Sequence, residues 1–209
     1  MNELILSDPV VLDSIEKAVA DTEKKTCAEV VAVLAPQSGS YLDREMLVGL
    51  TAGVVTLSVL VIAPVGFHPV MALVDFLIAF TVGTLIANRL WLLKRLATFG
   101  NRRSKNVTAG ALIAFQTEGV SATPGRHGIL VYASVFEREI RIIPDLGVEA
   151  KVPGAEWNLI MASAGKPAPR EMGRTLVDVI GKIGDALSSP MPPCVENPDE
   201  MPNRPRIVR

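Results

Sequence analysis

Histidine and cysteine are almost missing from this chain of 209 residues, which has two of each. His68 and His127 have no partner at a ligand interval, and Cys27 and Cys194 form no metal spacing, so neither a metal nor a cofactor is expected. A distant pair of thiols reads as two incidental residues rather than a disulfide, and nothing points to an oxidising compartment. An excess of one charge is also lacking, with 21 Lys and Arg against 22 Asp and Glu. That balance leaves no electrostatic footprint for nucleic acid. Phosphate-binding P-loops, nucleophile elbows and kinase signatures are missing as well. The opening Met1 to Ser7 has no basic n-region and too short an apolar run for a signal peptide. The chain is therefore expected to begin in the cytosol.

The absence with the largest consequence is that of charge from Met46 through Val74, after which Asp75 is followed by no further charge until Arg89. A helix rises about 1.5 Å per residue and a hydrocarbon core is about 30 Å thick, so one span needs roughly 20 apolar residues. The stretch accommodates two, 46–65 and 70–93, separated by Pro64-Val-Gly66-Phe-His68-Pro69. A hairpin of soluble core helices is the alternative. Such helices keep a polar stripe, whereas Leu47 to Ala63 is apolar or small all round. Gly49 and Gly53 stand four apart in a small-xxx-small pattern that lets helices approach closely, with the second span of the same chain as the expected partner. Asp75 lies about 9 Å from Pro69 at helical rise, which makes it either a depth marker near the headgroups or a functional intramembrane carboxylate.

Trp91 followed by Lys94 and Arg95 marks a membrane boundary, and Arg102, Arg103 and Lys105 extend the basic run with no acid until Glu118. These six residues are expected to meet the membrane surface, at about 1 kcal/mol per cation near anionic lipid. A merely solvated positive flank is the competing reading. The same charge asymmetry places both soluble segments in the cytoplasm, with the chain integral to a bacterial inner membrane.

Flanking the hairpin are the parts of a soluble domain. Asp8-Pro9 is a helix-start signature, and Val11, Ile15, Ala18, Val19 and Thr22 recur on one face to about Lys25. Ala28 to Ala35 is β-branched and reads as a strand. A helix over Arg102 to Glu118 is terminated by Gly119. His127 to Ser134 and Glu139 to Ile143 form a β-hairpin, the second strand alternating charged and apolar. Trp157, Ile160 and Met161 lie on a helix ended by Gly165. The last helix carries Met172, Leu176, Ile180, Ile183 and Leu187 on one stripe. The tail from Glu196 to Arg209 is proline-rich and expected to be extended.

Glu29-Val-Val-Ala-Val33 after an amphipathic helix, the hairpin Gly128 to Ile143, Asp145-Leu-Gly-Val148, a Trp-bearing helix and Asn197-Pro-Asp-Glu-Met-Pro202 together resemble the TPM-domain family. That family groups a thylakoid acid phosphatase, a photosystem II repair protein and an animal receptor modulator with bacterial membrane proteins. The resemblance implies an α/β fold, a small central sheet flanked by helices in three layers, here interrupted by the transmembrane hairpin. Residues 1–45 and 94–209 would make one discontinuous domain around the insertion 46–93. Pro144-Asp145 stands where many members have a glycine-containing loop.

The resemblance leaves the chemistry open. Glu29 and Asp145, which could meet at one end of the sheet, are the weak catalytic candidates, against the commoner roles of capping a helix or facing water. The expected function is a noncatalytic, membrane-anchored module that binds another membrane protein and assists its assembly or turnover. A membrane-tethered phosphatase-like hydrolase is the alternative, and it requires several polar side chains converging in one pocket.

Overall fold

The computed structural model describes residues 8–63, 68–90, 100–123, 125–194 and 201–208. They form a mixed α/β structure of seven helices and a four-stranded sheet. The chain divides into two compact units, one of residues 1–38 with 104–209 and one of residues 39–103.

In the first unit, helix α1 (Pro9–Glu23) begins where the Asp8 carboxylate accepts the Val10 N–H at 3.0 Å, with Pro9 in the first turn. A side-chain cap of this kind stabilises a helix by about 1 kcal/mol. The helix buries Leu12, Ile15, Val19 and Thr22. Strand β1 (Glu29–Ala35) follows and is buried along its whole length. It pairs in parallel with β2 (Gly128–Ser134), which is equally buried. Strands covered on both faces need not alternate, which is why both read as continuous apolar runs. Parallel neighbours require a crossover, and residues 36–127 supply it. β3 (Glu139–Pro144) returns antiparallel to β2. The sheet order is β3-β2-β1-β4.

The pleat sends alternate residues to two cores. Val30, Ala32 and Leu34 join Ile129, Val131, Ile140 and Ile142 in a cluster with α1, α6 (Gly154–Ala164) and α7 (Met172–Leu187). Val31, Val33, Ala35, Leu130 and Tyr132 instead pack on Val107, Ala111, Ala114 and Phe115 of α4 (Gly100–Thr117). On α7 the stripe read from the sequence is buried and also includes Val179. Fully burying each such aliphatic side chain stabilises the fold by roughly 2 kcal/mol before entropy is counted. Just beyond α4, Gly119 adopts φ +70°, a left-handed conformation that ends the helix. β3 keeps Ile140 and Ile142 inward and turns Arg141 toward α4, where its guanidinium donates to Ser104 Oγ at 2.6 Å and Thr108 Oγ1 at 3.2 Å.

The second unit contains α2 (Leu42–Ile62) and α3 (Pro69–Arg89), packed against each other. Both differ from the sequence bounds. α2 starts four residues before Met46 because a helix does not end where charge begins: Asp43 and Glu45 lie in its first turn, where the helix dipole favours them. α3 starts at Pro69, with the His68 Nδ1 accepting the Val70 N–H at 3.3 Å. It ends at Arg89 rather than Leu93, and residues 91–93 lie outside the described part. The tip at 64–67 also lies outside it.

Within the stretch read as extended, Arg206–Ile207 goes further and pairs as strand β4, parallel to β1 at Val33 and Leu34. Residues 195–200 of that stretch lie outside the described part.

Candidate functional site

The sequence candidates Glu29 and Asp145 lie at the same end of the sheet, on either side of Gly128. Glu29 is the register partner of Gly128 in β1, and the Asp145 N–H donates to the Gly128 carbonyl at 2.8 Å. Their surroundings differ. The Asp145 side chain is buried, accepting Arg126 Nε at 2.7 Å and Arg126 NH2 at 2.8 Å in a two-pronged ion pair. Its Oδ1 also accepts the Leu146 N–H at 2.8 Å, capping the short helix α5 (Leu146–Glu149). The Arg126 guanidinium is the main reason that the carboxyl is held below its ordinary range. Arg126 itself sits at φ +55°, and its carbonyl accepts the Gly147 N–H at 3.0 Å. A Cβ at Gly147 would meet the Gly125 and Arg126 carbonyl oxygens at 2.5 and 2.7 Å, so this close approach requires glycine. Asp145 thus fastens a loop and caps a helix, and Pro144-Asp145 is the point where β3 hands over to that cap.

Glu29, also buried, lines a pocket of about 340 Å³ with Glu23, Lys24, Cys194 and Asn203. Among the described residues its charged lining is therefore two carboxylates and one ammonium, and that ammonium lies 2.9 Å from the Asp21 carboxylate. A phosphoryl group needs the opposite balance. Among the described residues no three His, Cys, Asp or Glu side chains converge to hold a metal. His68 serves as the cap of α3, and the His127 N–H donates to Thr123 Oγ1 at 3.0 Å.

The other end of the sheet was not visible as a site in the sequence. Parallel strands place their carboxyl ends at the usual ligand crevice of α/β proteins. Here the ends of β1 and β2 present Ser38, Tyr132, Ser134 and Glu137. Ser38 Oγ lies 3.0 Å from Tyr132 Oη. The buried Glu137 carboxylate accepts the Ser38 N–H at 3.1 and 3.2 Å and also the Ser134 hydroxyl. Burial raises the Tyr132 phenol above its ordinary value, against the opposing bond from Ser38. Beside these groups is a pocket of about 230 Å³ with Gln37, Gly110, Ile113, Thr117 and Val208 in its wall. Gly110 keeps it open, since a Cβ there would stand 2.7 Å from Tyr132 Oη. Hydroxyls, an amide and the Glu118 carboxylate offer hydrogen bonds here, and no cation among the described residues lines the wall. The sequence signal for this cluster is slight: a serine just after a strand and a glutamate in a hairpin turn.

Of the proposed membrane-surface residues, Trp91, Lys94 and Arg95 lie outside the described part. Arg102 is engaged by Asp43, with NH1 to Oδ2 at 2.5 Å and NH2 to Oδ1 at 3.0 Å, and its Cζ is 5.9 Å from the Tyr41 ring centre. Its charge is therefore partly compensated within the chain. Arg103 is half-buried and Lys105 exposed. Gly49 and Gly53 are buried on α2, where added β-carbons would strike Thr84 and Phe80, and Phe76, of α3. Asp75 is exposed on the second turn of α3.

These elements define a mixed α/β protein with helices on both faces of a short sheet and two apolar helices long enough to cross a membrane. No family model and no curated protein matches the chain. Among solved structures, the chain is similar to the NMR structure of the BA42 protein from the psychrophilic bacterium Bizionia argentinensis. The likeness has a TM-score of 0.56 at 17% identity and covers 95% of this chain and 93% of that one. At this identity the likeness concerns the fold alone.

Proposed function

We propose that the chain is a TPM-like module inserted in a membrane by the α2–α3 hairpin, a three-layer sandwich interrupted by that insertion, which acts as a noncatalytic binding partner in the assembly or turnover of other membrane proteins. One observation carries the anchoring: the hairpin is packed inside out. Its buried positions include Gly49, Gly53, Ala72, Gly83 and Ala87, while Val59, Ile62, Leu73, Ile78 and Leu85 stand between 56% and 82% exposed. Only 17% of the apolar window of either helix is buried. A water-soluble helix pair of this composition would leave its largest apolar side chains in water, whereas lipid solvates them and lets small residues bring the backbones together. The accessory role rests on the sequence resemblance and on the occupied state of Asp145. The hydrolase alternative gains nothing from the acidic lining around Glu29.

The test has two arms. Membranes from cells making the full chain are washed with alkaline carbonate, and reporters are placed near Gly66 and at the C-terminus. Retention in the membrane, an external tip and a cytoplasmic C-terminus are expected; release by carbonate or a cytoplasmic tip overturns the anchoring. Purified protein offered a generic phosphomonoester should not turn it over. Turnover abolished by Glu29→Gln overturns the noncatalytic role.

A further inference from the structure

Cys27 and Cys194 are the chain's only cysteines and lie far apart in sequence, yet the fold brings them into one neighbourhood, where the Cys194 side chain acts on the Cys27 thiol. Cys27 stands between α1 and β1, half-buried against the larger core. Cys194 follows the end of α7 and is exposed, in the wall of the pocket that also holds Glu23, Lys24 and Glu29. The backbone supports the same juxtaposition, with the Cys27 N–H donating to the Met191 carbonyl at 3.4 Å, and Met191 itself buried in the core. Two neighbouring thiols, one half-buried beside a backbone bond to Met191 and one open to solvent, have the makings of a dithiol that can close to a disulfide.

We propose that Cys27 and Cys194 form a peroxide-responsive dithiol, whose reversible disulfide fastens the segment after α7 to the connection between α1 and β1. Cys194 is the residue oxidised first. Burial, with the neighbouring Cys194 adding to it, pushes the Cys27 thiol up to about 11, which leaves little thiolate there at neutral pH. The Cys194 thiolate attacks one oxygen of hydrogen peroxide; an S–O bond forms, the O–O bond breaks, and the departing hydroxide takes a proton to become water. Cys27 then loses its proton and attacks the Cys194 sulfur, expelling hydroxide as a second water. Two thiols and one peroxide thus give one disulfide and two waters. In a reducing cytosol the pair rests as thiols and is restored by dithiol exchange. Further along the chain, the two residues of β4 pair with β1 at Val33 and Leu34. This inference does not depend on the accessory role proposed above.

The experiment uses the full chain in mild detergent, treated with hydrogen peroxide and followed by intact mass, maleimide labelling and non-reducing electrophoresis. The expected product is a monomer lighter by two hydrogens, with both thiols closed to maleimide and reopened by dithiothreitol. Its hydrogen exchange should slow around residues 206–208. Cys27→Ser should leave a Cys194 sulfenic acid that dimedone traps, and Cys194→Ser should leave Cys27 reduced. Intermolecular dimers as the main product, over-oxidised Cys194 beside a maleimide-reactive Cys27, or two thiols that survive excess peroxide would each overturn the proposal.

Discussion

Gly49 of α2 lies directly against Thr84 of α3: a β-carbon added at Gly49 would stand 2.1 Å from Thr84 Oγ1 and 2.5 Å from the Phe80 carbonyl oxygen. Gly83 returns the contact, its own added β-carbon falling 3.1 Å from Gly49 Cα. The hairpin is therefore joined along a seam where backbones touch. Gly49→Val should force the helices apart at a cost of about 2 kcal/mol, in the range of overpacking. Thr84→Ala should relieve only part of that cost, because the Phe80 carbonyl is backbone and stays in place. Gly181→Ala, where nothing stands within 4 Å, should be neutral or slightly stabilising. Thermal unfolding of Gly49→Val, Gly49→Val with Thr84→Ala, and Gly181→Ala beside the wild type in one detergent checks the order.

Asp145 makes stability depend on acid. Its folded-state pKa is lowered, chiefly by Arg126, so its contribution is fully present above the unfolded carboxyl value near 3.9 and is lost as pH falls through the lower folded value. Arg126 is 49% exposed, so solvent screens the ion pair and most of the effect comes from the hydrogen bonds. Asp145→Ala removes pair and cap together and should cost about 2 kcal/mol at pH 7. Asp145→Asn keeps an acceptor for the Leu146 N–H and should cost about half of that. Denaturant titrations at pH 7 and pH 3 should show the gap between wild type and Asp145→Asn shrinking at the lower pH.

How far the fold could be read in advance depended on which force set each element. The helix Met172–Leu187 has a strong apolar stripe and turn signals at both ends, and its bounds in the structure are the residues that carry the stripe. Glu29–Ala35 and Gly128–Ser134 were legible because strands buried on both faces leave unbroken apolar runs. The bounds of α2 and α3 were not, since hydropathy records where the solvent changes, while Asp43 and His68 start helices by electrostatics and capping. β4 was invisible because two residues carry no periodicity; it exists because β1 offers an open edge and because Arg206 pairs with Glu118 at 2.5 Å. At the candidate sites, Asp145 could be singled out as a carboxylate at a strand end, but its partner Arg126, nineteen residues away, could not. The neighbourhood of Cys27 and Cys194 and the contact between Ser38 and Glu137 are likewise products of topology and leave no local pattern.

Arg138 combines an unfavourable backbone with a useful side chain. It sits at φ +58° in the turn between β2 and β3, while its guanidinium donates to the Pro167 carbonyl at 2.7 Å and the Lys166 carbonyl at 2.9 Å. Left-handed backbone costs a non-glycine residue about 1 kcal/mol, and charge-assisted bonds to two carbonyls offset it. Arg138→Ala should keep the strain and lose the bonds, whereas Arg138→Gly loses both. The glycine variant should therefore be the more stable of the two by up to about 1 kcal/mol, with both below wild type. Equal stabilities would mean that the strain is not felt.

The order β3-β2-β1-β4 makes the first unit dependent on its first 38 residues. β1 is central, giving one edge to β2 and the other to β4, so a fragment that begins at Asn101 keeps β2 and β4 but no strand between them. The open side of β2 would present seven residues of apolar strand with unpaired N–H and C=O groups, a template for pairing with another chain. It would also uncover the α7 stripe, because α1 packs on that helix closely enough that a β-carbon at Gly173 would stand 2.4 Å from Val11 Cγ1. The fragment 101–209 should therefore aggregate. Joining Ser38 to Asn101 through a flexible glycine-serine linker restores α1 and β1 without the apolar hairpin, and its closure entropy grows only slowly with length. That shortened chain should be monomeric and unfold in one cooperative step. Light scattering and denaturant unfolding of the two proteins decide the matter: a monomeric, cooperatively folded 101–209, or a linked chain that still aggregates, would show that the N-terminal helix and strand are not what completes the sheet.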